Sequence, residues 1–327
     1  MQPHRSFVRA ALMCGVAVAA FVGLAPAVTA DEFDGGVLAL VVENDVFFDM
    51  DRNYTNGLRL SWTSAERQTN WMSRLGDWDA IRTEWSLGQS MFTPKDLTLA
   101  IPDPTDRPYA GWLYVEFGVV GESEKSLDQL SLSVGVVGPS ARAGDVQKWF
   151  HDLIGSREPM GWDRQIDDQA AVQFTGQRTF KGFSVGDLGG VGFDLRPHVG
   201  ASVGSVHVYA NAGATLRIGP SLPDDYGPPR IQPSLPGSNF FTPVGEINGY
   251  LFAAIDGRAV GYSVFLDSDV DYGPGVEKKN FVADAQVGAV VVIDRVRLTA
   301  THVWRTEEYK SQKEHDEFGS VSVSVLF

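Results

Sequence analysis

Alternation of apolar with small or polar residues runs through most of this chain, and it constrains the fold more than any other feature. The last ten residues, FGSVSVSVLF, place the valines on one face and the serines on the other. The same period of two recurs in WLYVEFGVVG (112–121), LSLSVGVV (130–137) and FVADAQVGAVVVI (281–293). Successive side chains of a β-strand point to opposite faces. Repeated segments of about ten residues with one apolar face therefore predict a transmembrane β-barrel with a polar interior.

Twelve segments have the length and pattern of barrel strands. They lie near 37–45, 55–64, 82–92, 110–121, 127–138, 168–180, 191–203, 206–218, 246–267, 279–293, 295–306 and 318–327. An even number of strands is typical of bacterial outer-membrane barrels, and closure removes exposed sheet edges. After residue 30, no segment approaches the roughly 20 apolar residues of a spanning helix. We therefore predict an all-β fold, a transmembrane antiparallel β-barrel of about 12 strands in the bacterial outer membrane.

The first thirty residues have the pattern of a secretory signal peptide. Arg5 and Arg9 precede an apolar run from Ala10 to Leu24, which ends at the small-residue sequence Val28-Thr29-Ala30. We predict a signal peptide over residues 1–30 and one barrel domain over residues 31–327. The single cysteine, Cys14, lies in the leader, so a thiolate nucleophile is not expected in the mature chain. The formal net charge of -14 disfavours nucleic acid as a partner, and we expect a monomer.

The predicted topology sorts the connections between strands onto two rims. With both termini in the periplasm, connections 46–54, 93–109, 139–167, 268–278 and 307–317 lie outside the cell. The segment GDVQKWFHDLIG predicts a short helix over 145–154 within one of these extracellular loops, with Gly155 just past its end. The Pro-rich segment 219–243 falls on the periplasmic side, where turns are usually short. A strand missed by the periodicity would move that segment.

One hairpin carries an unusual density of oxygen-bearing side chains. VVENDVFFDMDRNYTNGLRLSW (41–62) begins and ends as a strand, and its middle is rich in Asp and Asn. Calcium takes six to eight oxygen ligands, which carboxylates, amides and backbone carbonyls supply, so Asn44, Asp45 and Glu43 are candidate calcium ligands. An EF-hand is excluded because Tyr54 replaces the turn glycine and Leu60 replaces the final glutamate. The alternative is a solvated acidic loop.

Residues capable of catalysing ester hydrolysis are few. His151 has an unperturbed pKa near neutrality and lies on the helix side bearing Gln147, so it is the candidate general base. Thr55 shares strand parity with Arg59 and is predicted to point inward. Ser184 and Ser202 lie in G-x-S-x-G patterns, but no helix follows either, so neither is expected to be a nucleophile. A water molecule activated by histidine is then the simplest mechanism.

Four motifs carry a resemblance to a known family. ENDVFFDMDRNYTNGLRLSW, DRPYAGWLY, GVVGPSARAGDVQKWFHDLIG and GWDRQI resemble the outer-membrane lipid A 3′-O-deacylases. The resemblance implies a twelve-stranded barrel with a calcium-dependent hydrolase site facing the outer leaflet. It implies that Asn44, Asp45, Thr55 and His151 are catalytic, with Ca²⁺ as cofactor and lipopolysaccharide as substrate. It also implies a substrate-binding lysine on the loop after the third strand, where Lys95 is the only candidate.

The sequence thus predicts an outer-membrane enzyme that removes the 3′-linked acyloxyacyl chain of lipid A. Two rivals stay open. One is an outer-membrane phospholipase or esterase, and the other is a non-catalytic porin-like barrel.

Overall fold

The chain forms a closed antiparallel β-barrel. The computed structural model describes residues 36–46, 51–66, 75–181, 183–220, 222–223, 225–234 and 237–327. Within these ranges the strands are β1 Val37–Asn44, β2 Asn53–Thr63, β3 Ala80–Thr93, β4 Ala110–Glu122, β5 Ser126–Val137, β6 Gln169–Phe180, β7 Phe183–Leu188, β8 Val191–Gly204, β9 His207–Gly219, β10 Ile247–Ser263, β11 Phe281–Ile293, β12 Val296–Arg305 and β13 Asp316–Leu326. Two α-helices, α1 Ala143–Ile154 and α2 Val264–Asp267, lie in the connections.

Consecutive strands pair all the way around the wall. β1 pairs with both β2 and β13, which joins the two ends of the chain. β6 and β7 follow one another and both pair with β8, β6 over 198–204 and β7 over 191–195. They count as one position in the wall, so the barrel has twelve strands, as the periodicity predicted. The segment expected at 246–267 is a single strand that ends at Ser263.

The orientation of side chains follows the predicted alternation. On β5, Leu132 and Val134 are exposed on the outer wall, while Ser133 between them is buried in the interior. Interior positions elsewhere also hold polar and charged residues, including Gln173, Arg258 and Asp284. An apolar outer face and a polar interior are what a bilayer imposes on a closed barrel. In the described part of the chain, no helix is both long and apolar enough to cross a membrane.

The two rims of the barrel differ in their connections. We call loop rim the end that carries connections 45–52, 94–109, 138–168, 205–206, 264–280 and 306–315. We call turn rim the opposite end, where the termini meet through a hydrogen bond from Phe327 N to Gly36 O of 3.1 Å. The segment after β9, which the sequence places at the turn rim, returns into the barrel.

The described residues between 222 and 243 fold into the lumen, and we call them the plug. Asp225, Tyr226, Arg230, Ile231 and Phe240 of the plug are all buried. The plug is held by ion pairs and carbonyl contacts rather than by strand pairing, as where Arg297 donates to Asn239 O at 3.0 Å. The periodicity missed β7, but β7 shares a wall position with β6, so the plug still starts from the turn rim. No local pattern indicates the plug, since its partners come from distant strands.

The most enclosed of these contacts is the pairing of Arg217. Its guanidinium donates to Asp194 Oδ1 at 2.8 Å and to the Pro223 carbonyl at 3.1 Å, and it also binds Asp225 of the plug. Arg217 and Asp225 are fully buried. Removing one partner of a buried ion pair leaves an uncompensated charge, which costs about 3–5 kcal/mol.

We therefore expect Arg217→Ala to lower the stability of the folded barrel by about 3–5 kcal/mol. The measurement is urea unfolding in lipid vesicles, followed by the mobility shift between folded and unfolded barrel on unboiled gels. Lys310→Ala is the control, because its pair with Glu277 is exposed on both sides and exposed pairs contribute little. Equal stability of the two variants would contradict the structural role of the plug.

Candidate functional site

Four of the predicted site residues come together at the loop rim of the barrel: Asn44, Asp45, Thr55 and His151. Asn44 is the last residue of β1, and its side chain points to the same face of the strand as that of Val42. Leu58, which lies opposite Val42 on β2, is exposed on the outer wall. Glu43, one residue earlier, points into the lumen. Asn44 nevertheless is buried, so something other than lipid covers the wall at this point.

The connection 138–168, which contains α1, covers the neighbouring strands of this wall. Ala143 at the start of α1 packs with Met91 and Trp162 in an apolar cluster. A side chain at Gly111 of β4 would meet the Ala143 Cβ at 2.5 Å, so glycine is required for this close approach. Gln89 Nε2 of β3 donates to Ala141 O at 2.8 Å. The helix thus lies against the outer surface of β3 and β4, where a membrane would otherwise begin.

α1 directs its polar face at the barrel. Its buried residues are Ala143, Gln147, His151 and Ile154, whereas Leu153 is exposed. The sequence predicted that His151 faces away from Val146 and Phe150 and into a site. The helix does place the imidazole in a buried position, with Nε2 at 3.1 Å from Asp51 Oδ2. The other ring nitrogen, Nδ1, lies against the Arg157 carbonyl oxygen.

The two contacts define the protonation state of the ring. A carbonyl oxygen only accepts, so Nδ1 carries a proton, and Nε2 is the nitrogen that can exchange one. Burial acts to lower the pKa of His151, but the hydrogen bond and negative charge of Asp51 outweigh it, and the net effect is a raised pKa. Nδ1 therefore donates to the Arg157 carbonyl, and Nε2, beside Asp51, is the ring nitrogen that gains or loses a proton.

Asp51 and Gln147 are functional candidates that the sequence reasoning missed. Gln147 Nε2 donates to Asp51 Oδ1 at 3.1 Å, and Trp162 Nε1 donates to Gln147 Oε1 at 2.7 Å. Asp51 is thereby held between the amide and the imidazole. Gln147 and His151 are four residues apart on one helical face, which is the signal that could have identified Gln147. Asp51 had no such signal, since its partners lie about a hundred residues away.

Asp45 lies beside this pair with an unsatisfied oxygen. Its Oδ2 accepts from Arg52 N at 2.6 Å, while its Oδ1 is buried without a hydrogen-bond partner. Burial raises the pKa of the Asp45 carboxyl well above its usual range, and the charge of Asp51 raises it further. Asn44 Oδ1 next to it accepts from Val46 N at 2.8 Å. A cation at the free Oδ1 would compensate the burial of this carboxylate.

Only some of the oxygen atoms that calcium would need lie among the described residues. In the ranges that the structure covers, no group of three or more His, Cys, Asp or Glu side chains is arranged to hold a metal ion. Calcium also accepts amide and backbone carbonyl oxygens, so Asn44 and Asp45 are compatible with it. Residues 47–50, which include Asp49, lie outside the described residues.

Glu43 has other partners. Its Oε1 accepts from Arg230 Nε of the plug at 2.6 Å, and its Oε2 accepts from the Tyr54 hydroxyl at 2.9 Å. Both contacts lie in the lumen, on the opposite side of β1 from Asn44. The structure thus pairs the Glu43 carboxylate with the plug, on the opposite side of β1 from the Asn44 side chain.

Thr55 is the residue whose predicted orientation is wrong. A β-bulge between Tyr54 and Asn56 shifts the register against β3. Tyr54 takes the inward position, and the Thr55 hydroxyl lies 2.6 Å from the hydroxyl of Thr93. Thr93 shares strand parity with the exposed Leu87, so both hydroxyls are on the outer wall. Strand parity failed because a bulge inserts a residue and reverses the alternation.

Thr55 nevertheless stays close to the other candidates. Asp45 N donates to its carbonyl oxygen at 3.4 Å. The outward orientation of Thr55 brings its hydroxyl to the same side of the wall as Asn44.

Lys95 is near this site but does not contact it. Its ammonium group is exposed and lies 3.4 Å from Glu314 Oε2, which also pairs with Arg52. The only link from Lys95 to Asp45 runs through Glu314 and Arg52: the Arg52 side chain pairs with Glu314, and the Arg52 backbone N–H donates to Asp45. The structure therefore places Lys95 at the edge of the site.

Neither of the two serines in G-x-S-x-G patterns is part of this site among the described side chains. The Ser202 hydroxyl lies 2.6 Å from the Thr175 hydroxyl and accepts from Gln173 Nε2 at 2.7 Å, inside the lumen between β6 and β8. No helix follows it. Ser184 lies in β7, and its side chain is outside the described residues. An elbow for a serine nucleophile is absent at Ser202, as expected from the sequence.

Comparison with known proteins decides the family. The model of the family described as outer membrane protein LpxR matches residues 13–327. The chain belongs to the LpxR family. This confirms the resemblance of the four motifs to the outer-membrane lipid A 3′-O-deacylases, and it confirms an outer-membrane location.

One solved structure supports the LpxR fold. LpxR from Salmonella typhimurium is similar over 89% of this chain and 100% of its own, with 20% identity and a TM-score of 0.74. The β domain of the Bordetella autotransporter BrkA covers 90% of this chain and 100% of its own, with 8% identity and a TM-score of 0.44. The first similarity establishes the twelve-stranded LpxR barrel as the fold. A comparison with curated proteins found no match.

Proposed function

We propose that this LpxR-family barrel hydrolyses the ester that holds the 3′-linked acyloxyacyl chain on lipid A, in the outer leaflet, with His151 as general base and calcium as cofactor. The observation that carries the proposal is the pairing of His151 with Asp51 beside the unpartnered Oδ1 of Asp45. This arrangement places a proton acceptor beside a carboxylate oxygen that has no hydrogen-bond partner and can bind a cation. The LpxR family membership supplies the substrate class.

The chemistry follows from the placement of these groups. The His151 ring takes a proton from water at Nε2 as the water oxygen attacks the ester carbonyl carbon. Asp51 stabilises the resulting imidazolium. When the tetrahedral intermediate collapses, the carbon–oxygen bond to the sugar breaks and the imidazolium returns its proton to the departing oxygen. The products are a free fatty acid and a sugar hydroxyl.

Asn44 and Asp45 would hold the calcium ion. A bound calcium ion supplies positive charge to the carbonyl oxygen, on which negative charge develops during attack. Thr55 is proposed to position the substrate or the metal, because its hydroxyl faces the same side of the wall as Asn44. Lys95 is proposed to contact anionic groups of lipopolysaccharide from the edge of the site.

The rival functions make different predictions. Lipid A from cells with and without this chain is compared by mass spectrometry, and loss of the mass of one acyloxyacyl chain supports the proposal. Lysophospholipid released from pure phospholipid vesicles would instead indicate a phospholipase. Ion conductance in planar bilayers with unchanged lipid A would indicate a porin, although the plug that fills the lumen disfavours one.

The pairing with Asp51 predicts a shift in the pH profile. The neutral ring is the active base, so the rate rises with pH as His151 loses its extra proton. Asp51→Asn removes the negative charge that raises the pKa of His151, and burial then acts in the opposite direction. We expect the rising limb of the pH–rate profile to move to lower pH, with a lower maximal rate.

The measurement is kcat against pH on purified enzyme with saturating calcium. Asp145→Asn is the control, since Asp145 is an exposed carboxylate on the same helix that pairs with Arg142. A profile that stays in place in Asp51→Asn would show that Asp51 does not act on the catalytic base.

A further inference from the structure

The surface of α1 is divided into three stripes, and each faces a different environment. Ala143, Gln147 and His151 form the buried stripe against the barrel. Asp145, Lys148 and Asp152 lie along a charged stripe that is exposed. Trp149 and Leu153 lie on the remaining side with exposures of 63% and 44%. Residues three and four apart share a helical face, so these stripes run along the helix.

The neighbouring connections carry further exposed apolar side chains. Met160, which follows the helix, is 52% exposed, and its backbone N–H donates to Leu97 O at 2.9 Å. The segment after Leu97 carries two further exposed apolar side chains, Leu99 and Ile101. We call Leu99, Ile101, Trp149, Leu153 and Met160 the rim apolar surface. Exposing these side chains to water is unfavourable. Exposed apolar area beyond scattered single residues marks an interaction site.

Continuity with the barrel wall identifies what covers this surface. α1 rests on the outer faces of Met91 and Gly111. Further along the same strands, the outward side chains of Leu87 and Val115 are exposed to lipid. Val115 is four residues from Gly111, or about 13 Å along an extended strand. The helix that carries the apolar flank is therefore seated on the same strands whose outer face meets lipid.

We infer that the rim apolar surface is inserted in the hydrocarbon of the outer leaflet, while the charged stripe of α1 faces water. A helix with one apolar flank and one charged flank lies in the plane of a membrane interface. Trp149 suits such a position, because its ring is apolar and its N–H is polar. On this side of the barrel, the hydrocarbon of the outer leaflet then extends past the outer face of β3 and β4 as far as α1, which carries His151.

Spin labelling tests the inference without reference to enzymatic activity. Cys14 is the only cysteine of the sequence, so a Cys14→Ser background carries no native thiol. Leu153→Cys, Met160→Cys and Asp152→Cys are labelled separately with a nitroxide, and each full-length barrel is refolded in phosphatidylcholine vesicles. Asp152→Cys is the matched control, because it is adjacent to Leu153 but lies on the charged stripe. Val134→Cys and Lys313→Cys supply lipid and water references.

The readout is the collision of each label with oxygen, which concentrates in hydrocarbon, and with a water-soluble nickel chelate. We expect labels at positions 153 and 160 to match the Val134→Cys reference, with oxygen collisions exceeding nickel collisions. The label at position 152 should show the reverse ratio. Folding of each variant is confirmed by its mobility on unboiled gels.

Two outcomes would overturn the inference. Labels at 153 and 160 that match the Lys313→Cys reference would place the surface in water. Dipolar broadening between labelled molecules at 153 would show that a second copy of the chain covers it. Because neither readout involves lipid A, failure here leaves the proposed hydrolase function untouched, and failure of the hydrolase assay leaves the membrane contact standing.

Discussion

Replacement of His151 by alanine is expected to slow deacylation by about a hundred- to ten-thousand-fold, the range typical of a general base. The ring is buried on the inner stripe of α1, with Nδ1 fixed by a carbonyl and Nε2 beside Asp51. Among the described residues, no other histidine contacts Asp51 or Asp45. Alanine leaves water without a proton acceptor while preserving helix propensity.

The measurement is the initial rate of fatty acid release from lipid A by purified, folded enzyme, with products identified by mass spectrometry. His315→Ala is the control, because His315 is exposed in the loop before β13 and contacts Glu317 rather than the site. Turnover near the wild-type rate in His151→Ala would refute the assignment of the base. An equal loss in both variants would point to a defect in folding.

Replacement of Asp45 by asparagine is the second change with a large expected effect. Asparagine keeps the shape of the side chain and its acceptor for Arg52 N, but it removes the charge that would bind a cation. Loss of even supporting contacts in metal sites costs about 10- to 100-fold in metal affinity. We expect the calcium concentration for half-maximal activity to rise by at least that factor, with partial rescue at high calcium.

Two measurements separate metal binding from catalysis. Activity is titrated with calcium after treatment with chelator, and calcium binding is measured directly by calorimetry. Asp152→Asn, an exposed carboxylate on α1, should follow the wild-type titration. Full activity in chelated enzyme would eliminate calcium from the mechanism. An unchanged titration in Asp45→Asn would move the metal to other ligands.

The position of the site on the outer wall has a consequence for substrate access. Asn44 and Thr55 face the membrane side of β1 and β2, and α1 lies on the outer face of the adjoining strands β3 and β4. A lipid ester in the outer leaflet could reach this position by lateral diffusion, without entering the lumen. The plug then has no role in transport of substrate, and the Glu43–Arg230 contact ties it to the strand that carries Asn44.

Local pattern was sufficient to predict the barrel. A period of two is imposed on each strand by the apolar membrane outside and the polar lumen inside, so every strand records it independently of its neighbours. The same holds for α1, whose end is set by Gly155 in a left-handed conformation. The twelve predicted strands are all observed, whereas β7 (Phe183–Leu188) was not predicted. The topology placed the polar hairpin and α1 on one rim.

Contacts between distant segments had to be seen in the folded chain. The bulge at Thr55 reverses its orientation, and nothing in its local sequence distinguishes it from a regular strand position. Asp51 becomes a partner of His151, and Glu43 a partner of Arg230, through closure of the barrel. A periodic pattern cannot predict the plug, because the plug is held by hydrogen bonds and ion pairs with side chains of several distant strands. Periodicity reports only the medium on each side of a strand, whereas pairing between charged groups depends on which residues the closed barrel brings within hydrogen-bonding distance.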